Sequence, residues 1–359
     1  MKFALSQEHD LLQEMVRSLI EKECPAARRH AIADGDAGFD PAHWRALGEL
    51  GLAGLMTPAE FGGTGLGLLE LALVAESLGE GALPGPFLGH ALASLALTLG
   101  GSPSQKKAWL PRLATGEALA TIAFAEADDI WQPEEWRLAF ASGRLSGTKR
   151  LVPQAQLADL IVVGVAGGGL VLIERSAAGI SLAPFDGVDG TRRLDTLTLD
   201  GVCGEALPDG AEAARRVRDA GLVLLAADAF GGAWRLLRDT IAYLDTRVQF
   251  GRRLSEFQGI KHQLANLATG LEPSRALLWY AAHAFDQEEA DAPRLAAIAK
   301  AHITDRAMEI AREAVELHGG IGFTWECGVH LWYKRAMFDR AFLGLPGAQR
   351  ERSADLAGW

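Results

Sequence analysis

Residues 246–262 read TRVQFGRRLSEFQGIKH. Arg247, Arg252, Arg253 and Lys261 gather there around a Phe250-Gly251 step, in a chain whose formal net charge is -11. An acidic chain is a poor general partner for nucleic acid, whose phosphates need a net basic surface. A local basic cluster therefore points to a small anion, or else to a solvated helix face with ordinary surface ion pairs. A guanidinium such as Arg247 suits an anion because it is always charged and can make forked contacts.

Outward from this stretch the chain reads as three zones. Residues 1–118 are helical in spacing: Leu11, Leu12, Met15, Val16, Leu19 and Ile20 share one stripe, with Ser6 as N-cap. TPAEFGGTGLG, residues 57–67, has turn chemistry. Residues 119–208 change character. ATIAFAE, GRLSGTKRLV, ADLIVVGVA, GLVLIE and DTLTLDGV read as strands separated by Gly and Asp turns, and GVAGGGLVLI as a hairpin. Their spacing suits a small antiparallel barrel or sandwich. Residues 209–359 are helical again, with segments from Ala211 to about Asp245, from about Leu254 through the 280s, and from Ala292 to about Leu317. Gly231-Gly232 inside the first segment predicts a close helix crossing. The fold class is α+β: a helical domain, a β-domain and a helical bundle.

Other classes are excluded by simple features. Cys24, Cys203 and Cys327 are far apart, with no CxxC or His/Cys ligand spacing, so neither a disulfide framework nor a metal site is expected. MKFALSQEHDLLQEM has no signal-peptide core, and LIVVGVAGGGLVLI is broken by glycines and cannot be one membrane-spanning helix. The expectation is a soluble, cytoplasmic protein.

The motifs, in order, resemble the acyl-CoA dehydrogenase family along nearly the whole chain. LMTPAEFGGTGLG, QKKAWLPRLATGEALATIAFAE, YLDTRVQFGRRLSEFQGIKHQLANLA and AVELHGGIGFTWECGVHLWYKRA carry the resemblance. It implies an N-terminal helical domain, a β-domain and a C-terminal four-helix bundle. It also implies FAD, an acyl-CoA thioester substrate and an electron-transfer flavoprotein as acceptor. In such a reaction a carboxylate removes the α-proton while the β-hydride passes to the flavin; the base must sit close and the enolate must be stabilised.

By the same resemblance Arg247 contacts the FAD pyrophosphate, with Gln249 and Phe250 beside it and Phe257 and Gln258 near the adenine side. Gly319 and Gly320 form a tight loop for FAD, and Glu316 stands where the family usually has Gln, an acceptor in place of an amide donor. His318 is read as packing and hydrogen bonding near that loop, and His262 as facing inward. In the family these residues serve a neighbouring subunit's FAD.

The chain's own flavin-side set departs from the pattern. FAEADDIWQPEEW keeps Glu126 but lacks the usual Ala-Gly-Ser-Asp turn. After Lys149, Leu151 and Pro153 replace a Trp-x-Thr pair, so an indole, a hydroxyl and an N–H are lost. Aligned to the family's two base positions stand Gly221 and Leu343, neither a carboxylate, while Leu345 and Gly347 replace the flavin-contacting Thr and Gln. Asp228, two helical turns beyond Gly221 in an apolar run, is the substitute base to weigh against a structural Asp paired with an arginine. Asp219 and Glu326 are weaker substitutes.

These losses resemble the short, base-lacking subunits of heteromeric α2β2 acyl-CoA dehydrogenases of bacterial steroid and side-chain catabolism. The expected role is a subunit that completes a partner's FAD site. Two alternatives stay open: a homomeric enzyme using Asp228, and a flavin-free acyl-CoA-binding or scaffold protein on the same fold.

Overall fold

A computed structural model describes residues 4–36 and 38–359. The helices are α1 (Gln7–Glu23), α2 (Ala26–Asp34), α3 (Pro41–Glu49), α4 (Leu68–Glu80), α5 (Phe87–Gly100) and α6 (Pro103–Ala114) in the first region. The middle region carries β1 (Ala120–Ala123), β2 (Phe140–Ala141), β3 (Arg144–Pro153), β4 (Leu160–Gly164), β5 (Leu170–Glu174), β6 (Ile180–Phe185), β7 (Leu194–Cys203) and β8 (Glu205–Ala206). The last region holds α7 (Gly210–Thr246), β9 (Val248–Gln249), β10 (Arg252–Arg253), α8 (Gln258–Leu271), α9 (Pro273–Asp286), α10 (Ala292–His318), α11 (Val329–Ala341) and α12 (Pro346–Leu356). Helices, then strands, then helices is the order expected. Two compact units cut across that order. One comprises Met1–His30, Ala72–Leu83 and Leu222–Trp359, the other Ala31–Leu71 and Pro84–Gly221.

The strand-bearing unit has two four-stranded sheets, ordered β1-β4-β5-β8 and β2-β3-β7-β6. Ile161, Val163, Val171 and Ile173 from the first sheet and Leu145, Val152, Leu197, Leu199 and Val202 from the second share one buried core. This is the sandwich alternative; neither sheet closes into a barrel. The all-antiparallel expectation needs correction at one pair, since β1 and β4 are parallel, with Ala120 opposite Leu160. Parallel neighbours require a long crossover, and here the chain between them supplies β2 and β3 to the other sheet. The glycine hairpin is as read: β4 and β5 pair antiparallel with Gly164 opposite Leu170.

In this unit His90 joins α5 to its neighbours. Its Nδ1 accepts from the Ala120 N–H at 3.3 Å and its Nε2 lies 3.1 Å from the Leu113 carbonyl. The second contact fixes the proton on Nε2, because a carbonyl can only accept. Burial pushes the imidazole down to about 4, against the raising effect of its backbone contacts.

In the helical unit Ser6 caps α1 with a capping box shared with His9. α10 packs against α9, α11 and α12. Gly231 does mark a close crossing: a Cβ there would lie 1.9 Å from the Glu76 carbonyl oxygen of α4. Only a glycine permits that approach. The second predicted helical segment is two helices, broken before Pro273, which has no N–H to continue α8 and suits the first position of α9. α7 is long and apolar enough to span a bilayer, but its apolar stretch is mostly buried within the protein, as in a core helix.

Candidate functional site

The opening stretch folds as a tight hairpin after α7. The Arg247 N–H closes the last helical turn on the Tyr243 carbonyl at 3.0 Å, and the Arg247 carbonyl accepts from Leu254 N–H at 2.9 Å. β9 and β10 then pair Gln249 with Arg252 and Val248 with Arg253. The connecting residues have φ of +53° at Phe250 and +79° at Gly251, the sign pattern of a type I′ hairpin turn. Glycine adopts this freely, whereas Phe250 does so at a cost of about 1 kcal/mol. The turn is braced by Phe257: the Arg252 guanidinium lies 3.9 Å from its ring centroid, and Phe250 meets it edge-on at 6.3 Å. Phe250 itself is 91% exposed.

Charge in the hairpin divides into two kinds. Arg253 lies 3.4 Å from Asp245, which also accepts from the Ser255 hydroxyl at 3.0 Å. The Arg247 and Lys261 side chains are exposed and make no ion pair with the described residues. Gln249 bonds the adjacent Val248 carbonyl, and Gln258 is exposed at the start of α8.

The glycine loop follows α10. Gly319 has φ +65° and ψ -144°, a conformation reserved for glycine. A Cβ on Gly319 or Gly320 would meet nothing within 4 Å, so the protein's own packing does not demand glycine at 320. A group from outside can therefore approach the backbone closely. Glu316 is exposed, one turn earlier. Tyr243 brings loop and hairpin together. Its ring stacks on His318 at 4.4 Å, and its hydroxyl donates to the His318 carbonyl at 3.3 Å. Val248, Ile321, Phe323 and Trp325 are exposed apolar residues of the two arms. Basic side chains, open glycines and bare aromatics fit a dinucleotide with a pyrophosphate. His262 is exposed on α8, so its inward-facing reading is wrong; the α8 residues that turn inward are Leu264, Leu267 and Leu271.

The base candidates look different. Asp228 receives a forked pair of hydrogen bonds from Arg335, Nε to Oδ1 and Nη2 to Oδ2, both 2.6 Å. The pair is buried, at 4% and 1% exposure, and Arg335 Nη1 also donates to the Leu83 carbonyl at 2.9 Å. Both carboxylate oxygens are occupied, which is the structural of the two roles weighed for Asp228. Gly221 is buried within α7. Leu343 is buried with φ +60°, followed by Gly344 at +99°, and its carbonyl accepts from Gln349 at 2.9 Å. Lys300 lies fully buried below this turn, donating to the Asp339 carbonyl and, at 3.1 Å, to that of Arg340. Burial pulls its ammonium down to about 7. Asp219 pairs with Arg218 at 3.0 Å, and Glu326 is exposed.

In the strand-bearing unit, Glu126 is held by Lys149 at 2.6 Å and by the backbone N–H groups of Arg137 and Leu138 at 2.9 and 3.0 Å. Burial pushes its carboxyl up, but the hydrogen bonds and the ammonium outweigh it and hold it below the usual range. Burial draws Lys149 down to about 8 despite Glu126. Leu151 sits at a bulge of β3 with φ +52°, and the Pro153 carbonyl accepts from the Thr121 hydroxyl at 2.6 Å. Neither Leu151 nor Pro153 offers a side-chain donor. Among the described residues no cluster of three or more His, Cys, Asp or Glu is placed to hold a metal.

The sequence reading missed Tyr243, Arg335 and Lys300. Tyr243 alone had a local signal, since an aromatic one turn before Arg247 points to the same end of α7. Arg335 and Lys300 act across long separations that spacing does not show.

Comparison with known proteins is consistent along the chain. Residues 6–117 match "Acyl-CoA dehydrogenase, N-terminal domain" and residues 209–356 match "Acyl-CoA dehydrogenase, C-terminal domain". The Acyl-CoA dehydrogenase IpdE2 of Mycobacterium tuberculosis is 35% identical over 333 residues, covering 92% of this chain and 91% of that protein. A structure described as the Tcur3481-Tcur3483 steroid ACAD G363A variant is similar at TM-score 0.91 and 30% identity, covering 98% of both chains. The ChsE4-ChsE5 complex from Mycobacterium tuberculosis is similar at TM-score 0.92 and 25% identity, covering 100% of this chain and 99% of that one.

Proposed function

The chain belongs to the acyl-CoA dehydrogenase family of FAD-dependent oxidoreductases, and we propose that within it the chain is the base-lacking subunit of a heteromeric enzyme, completing the FAD site of an unlike partner. The supporting observation is a contrast in readiness. Arg247 is exposed and uncommitted, one turn after the Tyr243 that stacks on His318 at the head of two open glycines, while Leu343 is buried and Asp228 is tied to Arg335.

FAD, when bound, supplies the acceptor for the hydride leaving the thioester's β-carbon. This chain's contribution is to hold and shield. Arg247 would neutralise the pyrophosphate with Gln249 and Phe250 beside it, and Phe257 and Gln258 would lie near the adenine side. Gly319 and Gly320 would admit the dinucleotide to the backbone. Glu316, a pure acceptor, would take a hydroxyl rather than a carbonyl. The proton step falls to the partner, since neither aligned base position here carries a carboxylate.

The similarity to the Acyl-CoA dehydrogenase IpdE2, to the Tcur3481-Tcur3483 steroid ACAD and to the ChsE4-ChsE5 complex supports a bulky acyl-CoA as substrate and a second dehydrogenase-like subunit as partner. An electron-transfer flavoprotein is the acceptor this reading carries with it. The domain organisation that goes with it is 1–118, 119–208 and 209–359.

The test is flavin stoichiometry. The chain purified alone and given excess FAD should retain essentially none. The tagged chain isolated from its native cells should come with an unlike subunit and about one FAD per unlike pair. Arg247→Ala should strip that flavin. Full flavin on the isolated chain, or unchanged flavin in the variant, would sink the proposal.

A further inference from the structure

We infer that Tyr243 is a positioning residue: by clamping the end of α7 to the end of α10 it sets the hairpin and the glycine loop at the spacing one dinucleotide requires. This rests on the functional reading above and adds to it a residue that touches no ligand. Tyr243 acts on both arms at once. Its carbonyl takes the Arg247 N–H at 3.0 Å and the Thr246 hydroxyl at 2.9 Å, closing the turn from which the hairpin leaves. Its ring lies nearly parallel to His318, 16° off, with centroids 4.4 Å apart, and its hydroxyl reaches the His318 carbonyl at 3.3 Å. That carbonyl belongs to the peptide leading into Gly319.

His318 is a fixed anvil for this clamp. It is 7% exposed, and its Nδ1 lies 2.7 Å from the Ala314 carbonyl, which can only accept, so Nδ1 carries the proton and the ring orientation is set. Beyond it the loop has no slack, because a Cβ on Gly322 would lie 2.5 Å from the Val315 carbonyl and 3.0 Å from the His318 Cβ. The hairpin has its own brace at Phe257, yet nothing in that brace fixes its distance from Gly319. Tyr243 supplies that link. Misplacing contact groups by about 1 Å is enough to weaken a preorganised site.

The experiment uses Tyr243→Phe and Tyr243→Ala with Arg247→Ala as reference. Hydrogen exchange is followed in the isolated chain at Val315–Gly319 and at Arg247–Leu254, and FAD release is timed in the assembly isolated from native cells. Tyr243→Ala should speed exchange in both segments and FAD release about 10-fold. Tyr243→Phe keeps the stack and loses one neutral hydrogen bond, so it should speed release about 3-fold with overall stability almost unchanged. Wild-type exchange at Val315–Gly319 in Tyr243→Ala, or wild-type FAD release while Arg247→Ala still strips the flavin, would overturn the clamp and leave the functional reading standing. Unchanged flavin in Arg247→Ala would overturn that reading, and the inference with it.

Discussion

Helix α7 and the residue that follows it carry two charges that the molecule treats in opposite ways. Asp228, inside the helix, meets Arg335 through both oxygens in a place sealed from water. Arg247, one residue past the helix end, faces outward with no described counter-ion. A buried pair of this kind costs several kcal/mol of desolvation per ion, offset here by a hydrogen bond at each guanidinium nitrogen and each carboxylate oxygen. An exposed guanidinium costs the fold almost nothing. The difference separates charge that defines structure from charge available to an outside partner, and it is a better guide to function here than the presence of a carboxylate in an apolar run.

The comparison breaks first at Asp228. Asp228→Asn removes the carboxylate charge that faces the buried Arg335 guanidinium and should cost about 3–5 kcal/mol of unfolding free energy. Denaturant titration measures it; near-wild-type stability combined with lost turnover would instead make Asp228 a base. Next comes the buried neutral His90, whose folded value of about 4 lies below the unfolded 6.5. Between those values the unfolded chain binds the extra proton, so stability should be complete above pH 6.5 and fall as pH drops toward 4, by about 3 kcal/mol in total. His90→Gln, whose amide can make both contacts, should flatten that window in unfolding measured against pH.

Two smaller effects sharpen the exposed side. Phe250→Asn replaces a side chain that strains at φ +53° by one that tolerates it, so stability should rise by about 0.5–1 kcal/mol while the assembly holds flavin less well. Calorimetry of the isolated chain and flavin content of the assembly give the two readings. Arg247→Ala should change stability by less than about 0.5 kcal/mol, because it removes no described contact. A larger loss in denaturant unfolding would show that Arg247 serves this chain's own fold.

Much of this was legible wherever chemistry is local. Ser6 before the first stripe, the glycine turn between β4 and β5, Gly231 at a crossing and the Phe250-Gly251 step all carry their reason within a few residues. The parallel pairing of β1 with β4 was not legible, because it depends on which sheet receives the intervening strands. The fate of Asp228 depended on Arg335, 107 residues away, and spacing cannot announce such a partner. His262 was misread because a helical histidine carries no mark of which side faces water. The candidate site was legible in composition, as cations, aromatics and glycines, while the link through Tyr243 that makes them one site was not.

Phe250, Phe323 and Trp325 stand bare on the chain as it is described. Exposed aromatic surface of that kind is what chaperones retain and proteases find. Under the proposed function, copies made in excess of the covering subunit would stay open to such removal, while paired copies would be protected.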